Sequence, residues 1–202
     1  MQGKFIVLEG PDGAGTTRNS AALAEKLRLL GETVLLTSEP TDSPIGREIR
    51  SILKSDTMPS ADAVQLLFTA DRANHVATVI EPALRRGETV VCDRYALSTI
   101  VYGSALGIDA QWLTAINAVF PQPDLTIITL PPLDVCMERI GRRAERDAFE
   151  TENFQRRIFE GYRAVEDPRT IFVDTSGEKE EVSECVLRQV LKFFNEESRV
   201  SR

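Results

Sequence analysis

The sequence predicts a three-layer α/β sandwich, in which helices cover both faces of a five-stranded parallel sheet. The first observation is a set of short apolar runs rich in β-branched residues, at positions 5–9, 33–38, 89–93, 125–130 and 170–174. These runs are continuous rather than alternating, which is typical of strands buried on both faces in a parallel sheet. The second observation is that helical patterns separate the runs. This alternation predicts a doubly wound sheet with right-handed crossovers.

The segments between the strands are predicted in chain order. A leucine repeat at helical spacing covers residues 18–30 and ends before Gly31, a suitable helix stop. The polar segment 38–46 is predicted to be a loop at the strand end where open α/β sheets place ligands. Residues 61–87 are predicted to be helical, with Pro82 as a break or restart. Further helical patterns cover residues 109–120, 133–143 and 180–197.

The composition predicts a single domain over residues 1–202 that binds neither nucleic acid nor membranes. A chain with 42% hydrophobic and 27% charged residues is ordinary for a globular protein, and its length suits one domain. The formal net charge of −7 argues against a general binder of nucleic acid or of anionic membranes. It leaves room for a local basic site that binds a small phosphate ligand.

The cysteines and the apolar segments predict a cytoplasmic protein. Cys92, Cys136 and Cys185 are odd in number and widely spaced, which disfavours a disulfide framework or a zinc site. The N-terminal apolar run is too short for a signal peptide and leads directly into a glycine-rich turn. No stretch approaches the roughly 20 apolar residues that a membrane helix needs.

The segment GPDGAGTT, residues 10–17, predicts a phosphate-binding loop between the first strand and the first helix. We call this segment the phosphate loop. It matches G-x-x-x-x-G-K-[ST] except that Thr16 stands at the lysine position. Its glycines let backbone N–H groups point at an anion, and Thr17 offers a hydroxyl to Mg²⁺. The alternative, a glycine-rich turn without a ligand, is disfavoured by the flanking strand and helix.

Two further patterns indicate chemistry around this loop. Asp93 and Arg94 end the third strand, where a carboxylate serves Mg²⁺ and a guanidinium binds phosphate. Phe68 and Arg72 are one helical turn apart, so an aromatic face and a guanidinium meet on one side of a helix, as a nucleobase requires. The alternative for Asp93 and Arg94 is a structural ion pair at the strand end. The alternative for Phe68 and Arg72 is a core phenylalanine beside a surface arginine. His75 is interpreted as a packed helix residue rather than a catalyst.

A run of arginines follows the fourth strand, at Arg139, Arg142, Arg143 and Arg146. The simplest interpretation of such a run is a solvated helix face. The alternative is a group of cations that close over a transferring phosphoryl group, in a lid segment at about residues 139–152.

The chain resembles the thymidylate kinases. The resemblance lies in five segments, in this order: FIVLEGPDGAGTT, LLFTADRANH, CDRYALSTIVYG, RRAERDAFE and FQRRIFEGY. The resemblance covers nearly the whole chain. It implies the P-loop NTPase type of α/β fold, phosphoryl transfer from MgATP to dTMP giving dTDP and ADP, and a homodimer. It also raises the functional interpretation of the arginine run above the solvated face.

The resemblance implies a role for each matching residue. On the ATP side, Arg139 would stack on adenine, Thr17 and Asp93 would serve Mg²⁺, and the phosphates would be surrounded by Gly10, Pro11, Asp12, Gly13, Ala14, Gly15, Thr16 and Thr17. On the dTMP side, the contacts would come from Asp12, Arg50, Phe68, Arg72, Arg94, Ser98, Tyr102 and Gln155. Catalysis would rest on Asp12, Arg94, Arg142, Arg143 and Arg146.

Several departures from the family pattern keep other functions open. Thr16 replaces lysine, and Gly103 stands where many bacterial members carry a glutamine after the tyrosine. Thr41 and Asp42 replace two glycines, and the lid segment lacks an arginine after Asp147. These changes would also suit a catalytically impaired nucleotide-binding homologue, or a kinase for another deoxynucleotide.

Overall fold

The computed structural model describes residues 3–55, 57–142 and 152–200, with side chains up to residue 196. Its centre is a five-stranded, fully parallel sheet in the order β2-β3-β1-β4-β5. The strands are β1 (Phe5–Glu9), β2 (Val34–Ser38), β3 (Thr89–Asp93), β4 (Leu125–Thr129) and β5 (Thr170–Val173). The predicted sheet and the positions of all five strands are therefore confirmed.

Helices connect and cover these strands. They are α1 (Thr16–Leu29), α2 (Pro44–Leu53), α3 (Ala61–His75), α4 (Glu81–Arg85), α5 (Ala96–Ala105), α6 (Ala110–Asn117), α7 (Leu133–Gly141), α8 (Glu152–Arg163) and α9 (Lys179–Val200). A π-helical turn at Val76–Ile80 joins α3 to α4, and Pro82 lies in the first turn of α4, as the predicted restart requires. Of these helices, α2, α5 and α8 were not predicted.

The predicted loop 38–46 is too long at its C-terminal end. Helix α2 begins at Pro44, because the Ser43 hydroxyl accepts a hydrogen bond from the Gly46 amide and proline is favoured in the first turn. A Cβ at Gly46 would lie 2.0 Å from the Thr41 carbonyl oxygen, so this turn folds tightly back on the segment before it.

Alternate residues of β1 reach opposite faces of the sheet, which produces two apolar layers. Ile6 and Leu8 pack with α1 and α9, in a core that includes Leu23, Leu27, Val186 and Val190. Phe5 and Val7 pack on the other face, in a core that includes Val76, Ile80, Val90 and Tyr95. Helices therefore cover both faces, and the predicted three-layer sandwich is confirmed.

The prediction that all strands are buried on both faces is wrong for the edge strands. β1 and β3 are buried throughout, whereas Leu36 in β2 and Phe172 in β5 are exposed. Both exposed residues lie on strands that have a neighbour on one side only, so a continuous apolar run overestimates their burial. Within the described ranges, no helix combines the length and apolar composition needed to span a bilayer.

Candidate active site

The phosphate loop is shaped by two glycines in left-handed conformations. Gly13 has φ 78° and Gly15 has φ 86°, where a side chain would be strained. A Cβ at Gly13 would also lie 2.5 Å from the Cys136 carbonyl oxygen, because the loop packs directly on the backbone of α7. The Thr175 hydroxyl donates to the Ala14 carbonyl at 2.6 Å and joins the loop to the turn after β5. The loop is thus fixed on two sides.

Helix α1 starts directly from this loop, with Gly15 as its N-cap. Its first turn carries no acidic side chain, so the N–H groups and the positive end of the helix dipole remain available for an anion. Thr16 is buried as the first helical residue, whereas Thr17 is exposed. The loop therefore has the backbone of a phosphate site and no cationic side chain at the lysine position.

Two guanidinium groups contact the backbone of the phosphate loop. Arg94 donates from Nη1 to the Gly10 carbonyl at 2.9 Å and from Nη2 to Asp12 Oδ1 at 2.7 Å. Arg139 donates to the carbonyls of Gly13 at 3.2 Å and Thr175 at 2.7 Å. Positive charge therefore lies beside the loop on both the β3 and the α7 sides.

Arg94 is held in an unusual backbone conformation, with φ 67°. Its amide donates to the Leu8 carbonyl at 2.9 Å, which ties the turn after β3 to the end of β1. Its guanidinium lies 5.3 Å from the centre of the Tyr102 ring and contacts the Ser98 hydroxyl at 3.2 Å. Strained positions of this kind concentrate at functional sites, where surrounding contacts hold them.

One cavity collects most of the predicted dTMP-site residues. It lies between α3 and α5 beside the phosphate loop, and we call it the α3–α5 cavity. Its wall includes Asp12, Phe68, Arg72, Arg94, Ser98 and Tyr102. Gln155 is outside this wall but donates from Nε2 to Asp12 Oδ2 at 2.8 Å. The structure thus brings together residues that are far apart in the sequence.

Arg72 is buried, so the interpretation of it as a surface residue is wrong. Its Nε donates to Glu39 Oε2 at 2.9 Å, its Nη2 donates to the Thr99 hydroxyl at 3.0 Å, and its Nη1 donates to Asn117 Oδ1. This leaves a second Nη1 N–H without a partner in the part of the chain that the structure describes. His75 is packed, as predicted, and contacts the other Glu39 oxygen at 3.0 Å.

Arg50 lies outside the cavity wall. Its side chain donates to the carbonyls of Thr41 and Pro40, each at 2.5 Å, and Pro40 itself lines the cavity. Thr41 is anchored in turn, because its amide donates to Asp71 Oδ2 at 2.7 Å and its hydroxyl to Oδ1 at 2.6 Å. The departure at Thr41 therefore adds a hydrogen bond that a glycine could not make.

Glu9 is a buried carboxyl group beneath the site. It accepts from the Tyr95 amide at 2.9 Å, the Ser98 hydroxyl at 2.5 Å and the Tyr162 hydroxyl at 3.1 Å. Burial raises its pKa to about 7, although these hydrogen bonds and Arg94 act in the opposite direction. Sequence reasoning missed this residue, although it is the one charged side chain in the apolar strand β1.

Asp93 and Thr17, the residues predicted to serve Mg²⁺, offer oxygen atoms suited to a hard cation. Asp93 Oδ1 is buried and has no hydrogen-bond partner among the residues described, which fits an atom reserved for a metal or its water. Those residues contain no cluster of three His, Cys, Asp or Glu side chains around one point. This is compatible with Mg²⁺, which proteins usually hold with one or two carboxylates plus substrate phosphates.

The predicted lid is only partly described. Arg142 directly follows α7, is exposed, and pairs with Glu138 one turn earlier. Arg143 and Arg146 lie outside the described residues.

Sequence reasoning missed several residues of the cavity wall, among them Glu39, Gln65, Tyr95 and Thr99. Gln65 carried a signal, because it precedes Phe68 by three positions on the same helix face. Glu39 carried a weaker signal, its place in the segment 38–46 predicted to lie where ligands bind, since its contact with α3 depends on how a loop packs on a helix distant in sequence.

Comparison with known proteins agrees with this geometry. Residues 8–186 match the family model described as thymidylate kinase. The chain is 42% identical to a probable thymidylate kinase of Pyrococcus horikoshii, over 80% of this chain and 82% of that protein. It is 41% identical to a thymidylate kinase of Pseudomonas fluorescens, over 87% and 89%. It is 39% identical to one of Alcanivorax borkumensis, over 94% and 97%. The chain therefore belongs to the thymidylate kinase family.

Proposed function

We propose that this chain is a kinase that transfers the terminal phosphoryl group of MgATP to dTMP, giving dTDP and ADP. The observation that carries the proposal is the α3–α5 cavity, which opens beside the phosphate loop and contains the aromatic, guanidinium and carboxylate groups that a nucleotide requires. The relatives named thymidylate kinase support the same reaction. An impaired binding homologue and a kinase for another deoxynucleotide are not favoured.

ATP would bind across the phosphate loop. Residues 10–17 would surround its phosphates with backbone N–H groups, and Arg139 would stack on adenine from the α7 side. Thr17 and Asp93 would hold Mg²⁺, which would neutralise charge that develops on the phosphates. The free Asp93 Oδ1 atom and the exposed Thr17 hydroxyl support this assignment.

The acceptor base would lie in the α3–α5 cavity. Phe68 would stack on the ring, and the remaining Nη1 N–H of Arg72 would donate to an exocyclic oxygen. Tyr102 would pack against the deoxyribose, where its ring leaves no room for a 2′-hydroxyl. Ser98 would line the base and sugar pocket, and Gln155 would reach the base through a water molecule.

The acceptor phosphate would lie near Arg94, Arg50 and Asp12. Arg94 is already oriented by Gly10 and Asp12, so little further ordering is needed when phosphate binds. Arg50 would exchange its present carbonyl partners for the phosphate. Preorganised cations at this point would lower the barrier by stabilising the charge of the transferring group.

The charge absent at Thr16 would come from the lid at about residues 139–152. Arg142, Arg143 and Arg146 are the candidates, and Arg142 is exposed in the structure. We propose that the lid belongs to a single kinase domain spanning residues 1–202. Arg18 is a further exposed cation, in the first turn of α1 directly after the loop.

Turnover measured by ADP release tests the reaction directly. With MgATP, we expect dTMP to be the best acceptor, dUMP a weaker one and thymidine inactive, because Arg94 has no phosphate to bind in a nucleoside. The variant Arg94→Ala should lose most turnover, whereas Arg163→Ala, which alters an exposed arginine on α8, should retain it. Absence of turnover in a protein that binds both nucleotides would contradict the proposal.

We also propose that the chain forms a homodimer, on the strength of the family resemblance alone. Light scattering on the purified protein should then give twice the mass of the 22.4 kDa chain. A single-chain mass at micromolar concentration would contradict this assembly.

A cytoplasmic location remains our proposal as well. Cys92, Cys136 and Cys185 are free thiols, which suits a reducing compartment. Burial raises the pKa of Cys92 and Cys136, so both are poorly reactive. Cell fractionation with an antibody to the chain would test the location.

A further inference from the structure

Gln65 is an uncompensated polar group in the wall of the α3–α5 cavity. Its side chain is 1% exposed, and neither Oε1 nor Nε2 has a hydrogen-bond partner among the residues described. Leaving such an atom unsatisfied is costly, and the large majority of buried side-chain polar atoms have a partner. A buried amide whose oxygen and nitrogen both lack a hydrogen-bond partner is therefore expected to contact a ligand.

The position of Gln65 identifies the part of the ligand that it would meet. Gln65, Phe68 and Arg72 lie at i, i+3 and i+7 on α3, so they form one face of the helix, and all three line the cavity. Phe68 and Arg72 are the residues proposed to hold the base. The Gln65 amide is thus placed beside the base rather than beside the phosphate, where Arg94 and Asp12 lie.

Gly103 on α5 lies close to Gln65 but is not part of the cavity wall. Gly103 on α5 contributes no side chain, and a Cβ added there would lie 2.6 Å from Leu113 Cδ1 and 3.4 Å from Gln65 Cγ. Leu113 therefore already occupies the space that a Cβ at position 103 would enter, and Gln65 would lie in van der Waals contact with it.

The chemistry of the cavity requires an acceptor as well as a donor. The Watson–Crick edge of thymine or uracil presents an N3–H donor between two carbonyl oxygens. Arg72 can only donate, and the Glu39 carboxylate next to it is occupied by Arg72 and His75. Gln65 carries the acceptor that Arg72 lacks, because its side-chain oxygen accepts a hydrogen bond.

We propose that the Gln65 side-chain oxygen accepts a hydrogen bond from the N3–H of the acceptor's pyrimidine and makes the pocket select thymine and uracil over cytosine. Cytosine carries a lone pair at N3 and an amino group at C4, so it cannot donate to Gln65 from N3 and would oppose Arg72 with a donor. The inference rests on the proposed function, because it concerns the acceptor of the same reaction.

The test compares Gln65→Met with wild type. Methionine has a similar length and no hydrogen-bonding amide, so the cavity keeps its shape. We expect kcat/KM for dTMP to fall about 5- to 150-fold, which is the range that about 1–3 kcal/mol represents. The ratio of kcat/KM for dTMP to that for dCMP should fall by a similar factor, while KM for ATP stays unchanged. Gln111→Met, at an exposed position of α6, is the matched control and should alter none of these values.

Three readouts separate a role in base recognition from a structural role. The melting temperature of Gln65→Met should remain equal or rise, because an unsatisfied amide has been removed. Calorimetry should show weaker dTMP binding in Gln65→Met without a change for ATP. In the wild type, the Gln65 side-chain NH₂ signals in NMR spectra should shift more with dTMP than with dCMP, which tests the contact even if the variant does not fold.

Each outcome has a definite consequence. Unchanged dTMP binding and unchanged selectivity in a folded Gln65→Met protein overturn this inference and leave the proposed reaction standing. An equal loss for dTMP and dCMP also overturns it, since the amide would then have no part in selection. Failure of the wild type to bind or phosphorylate dTMP overturns both proposals.

Discussion

At the level of single residues, Thr16 determines what the rest of the site must supply. The residue is buried at the start of α1, where the backbone is already arranged for phosphate. Arg94 and Arg139 lie nearby, but both are committed to loop carbonyls, and Arg94 also to Asp12. A further cation would therefore have to reach the transferring phosphoryl group, and we propose that a lid arginine supplies it.

Two substitutions, Arg142→Ala and Thr16→Lys, test whether a lid arginine replaces the charge absent at Thr16. Arg142→Ala should lower kcat by about 10²-fold if this arginine is the compensating cation, which is the typical effect of losing one preorganised donor. Thr16→Lys alone should change kcat little, whereas Thr16→Lys in the Arg142→Ala protein should restore most of the loss. Steady-state kinetics at saturating MgATP and dTMP provide the measurement.

Arg163→Ala serves as the control, because Arg163 is also an exposed arginine paired with a glutamate of its own helix. If Arg142→Ala is active and Arg143→Ala or Arg146→Ala is not, the compensating charge belongs to the other residue. A large gain from Thr16→Lys in the wild-type background would contradict compensation altogether.

Some contacts between single residues of the site could be predicted from the sequence alone. Phe68 and Arg72 could be paired from the sequence because helical spacing alone puts them on one face. The partners of Arg72 could not, since Glu39, Thr99 and Asn117 come from three separate segments that meet only in the folded chain. Contacts within an element follow from periodicity, whereas contacts between elements require the packing.

At the level of elements, the conformation of the phosphate loop depends on how the loop packs against α7. A Cβ at Gly13 would lie 2.5 Å from the Cys136 carbonyl oxygen, and the backbone there has φ 78°. Gly31, which follows α1, has φ 92° but no atom within 4 Å of an added Cβ. The two glycines therefore share a strained conformation and differ in the space around them.

Substituting alanine at each glycine separates these effects. Gly31→Ala should lower the free energy of unfolding by about 1–2 kcal/mol, the cost of the left-handed conformation. Gly13→Ala should cost about 1–3 kcal/mol more, because the added methyl group overpacks against backbone that cannot turn aside. Urea unfolding measures both, and Gly13→Ala should also raise KM for ATP by displacing the loop. Equal destabilisation by the two substitutions would show that the contact with Cys136 contributes nothing.

Helices with a clear apolar face could be predicted from the sequence, whereas α2 and α5 could not. The helix over residues 18–30 was predicted because its leucines repeat on one face, and α1 indeed buries Leu23 and Leu27. Helix α5 escaped prediction because most of its residues, polar and apolar alike, are buried between neighbouring elements and leave no polar stripe. Helix α2 escaped because its capping serine and first-turn proline have the composition of a loop.

At the level of the whole molecule, Glu9 connects the sheet to the helices around the site. It lies at the end of β1 and is bonded by the turn after β3, by α5 and by α8. No local pattern identifies such a junction, because its partners are up to 153 positions away in the chain. Its titration therefore reports on the assembled molecule rather than on one element.

Glu9 should make stability depend on pH in a defined window. The pKa is about 7 in the folded chain against a usual value of 4.5, so between these values the folded chain keeps a proton that the unfolded chain has lost. The free energy of unfolding should therefore fall as pH rises from about 4.5 to about 7, by about 3 kcal/mol in total, at 1.36 kcal/mol for each unit of the pKa shift.

Glu9→Gln keeps the shape and the acceptor oxygen but does not titrate. Urea unfolding at several pH values should show that the difference between wild type and Glu9→Gln changes across this window and is constant outside it. Parallel curves for the two proteins would mean that Glu9 ionises in the folded chain near its usual pKa, and that the hydrogen bonds from Tyr95, Ser98 and Tyr162 offset the effect of its burial.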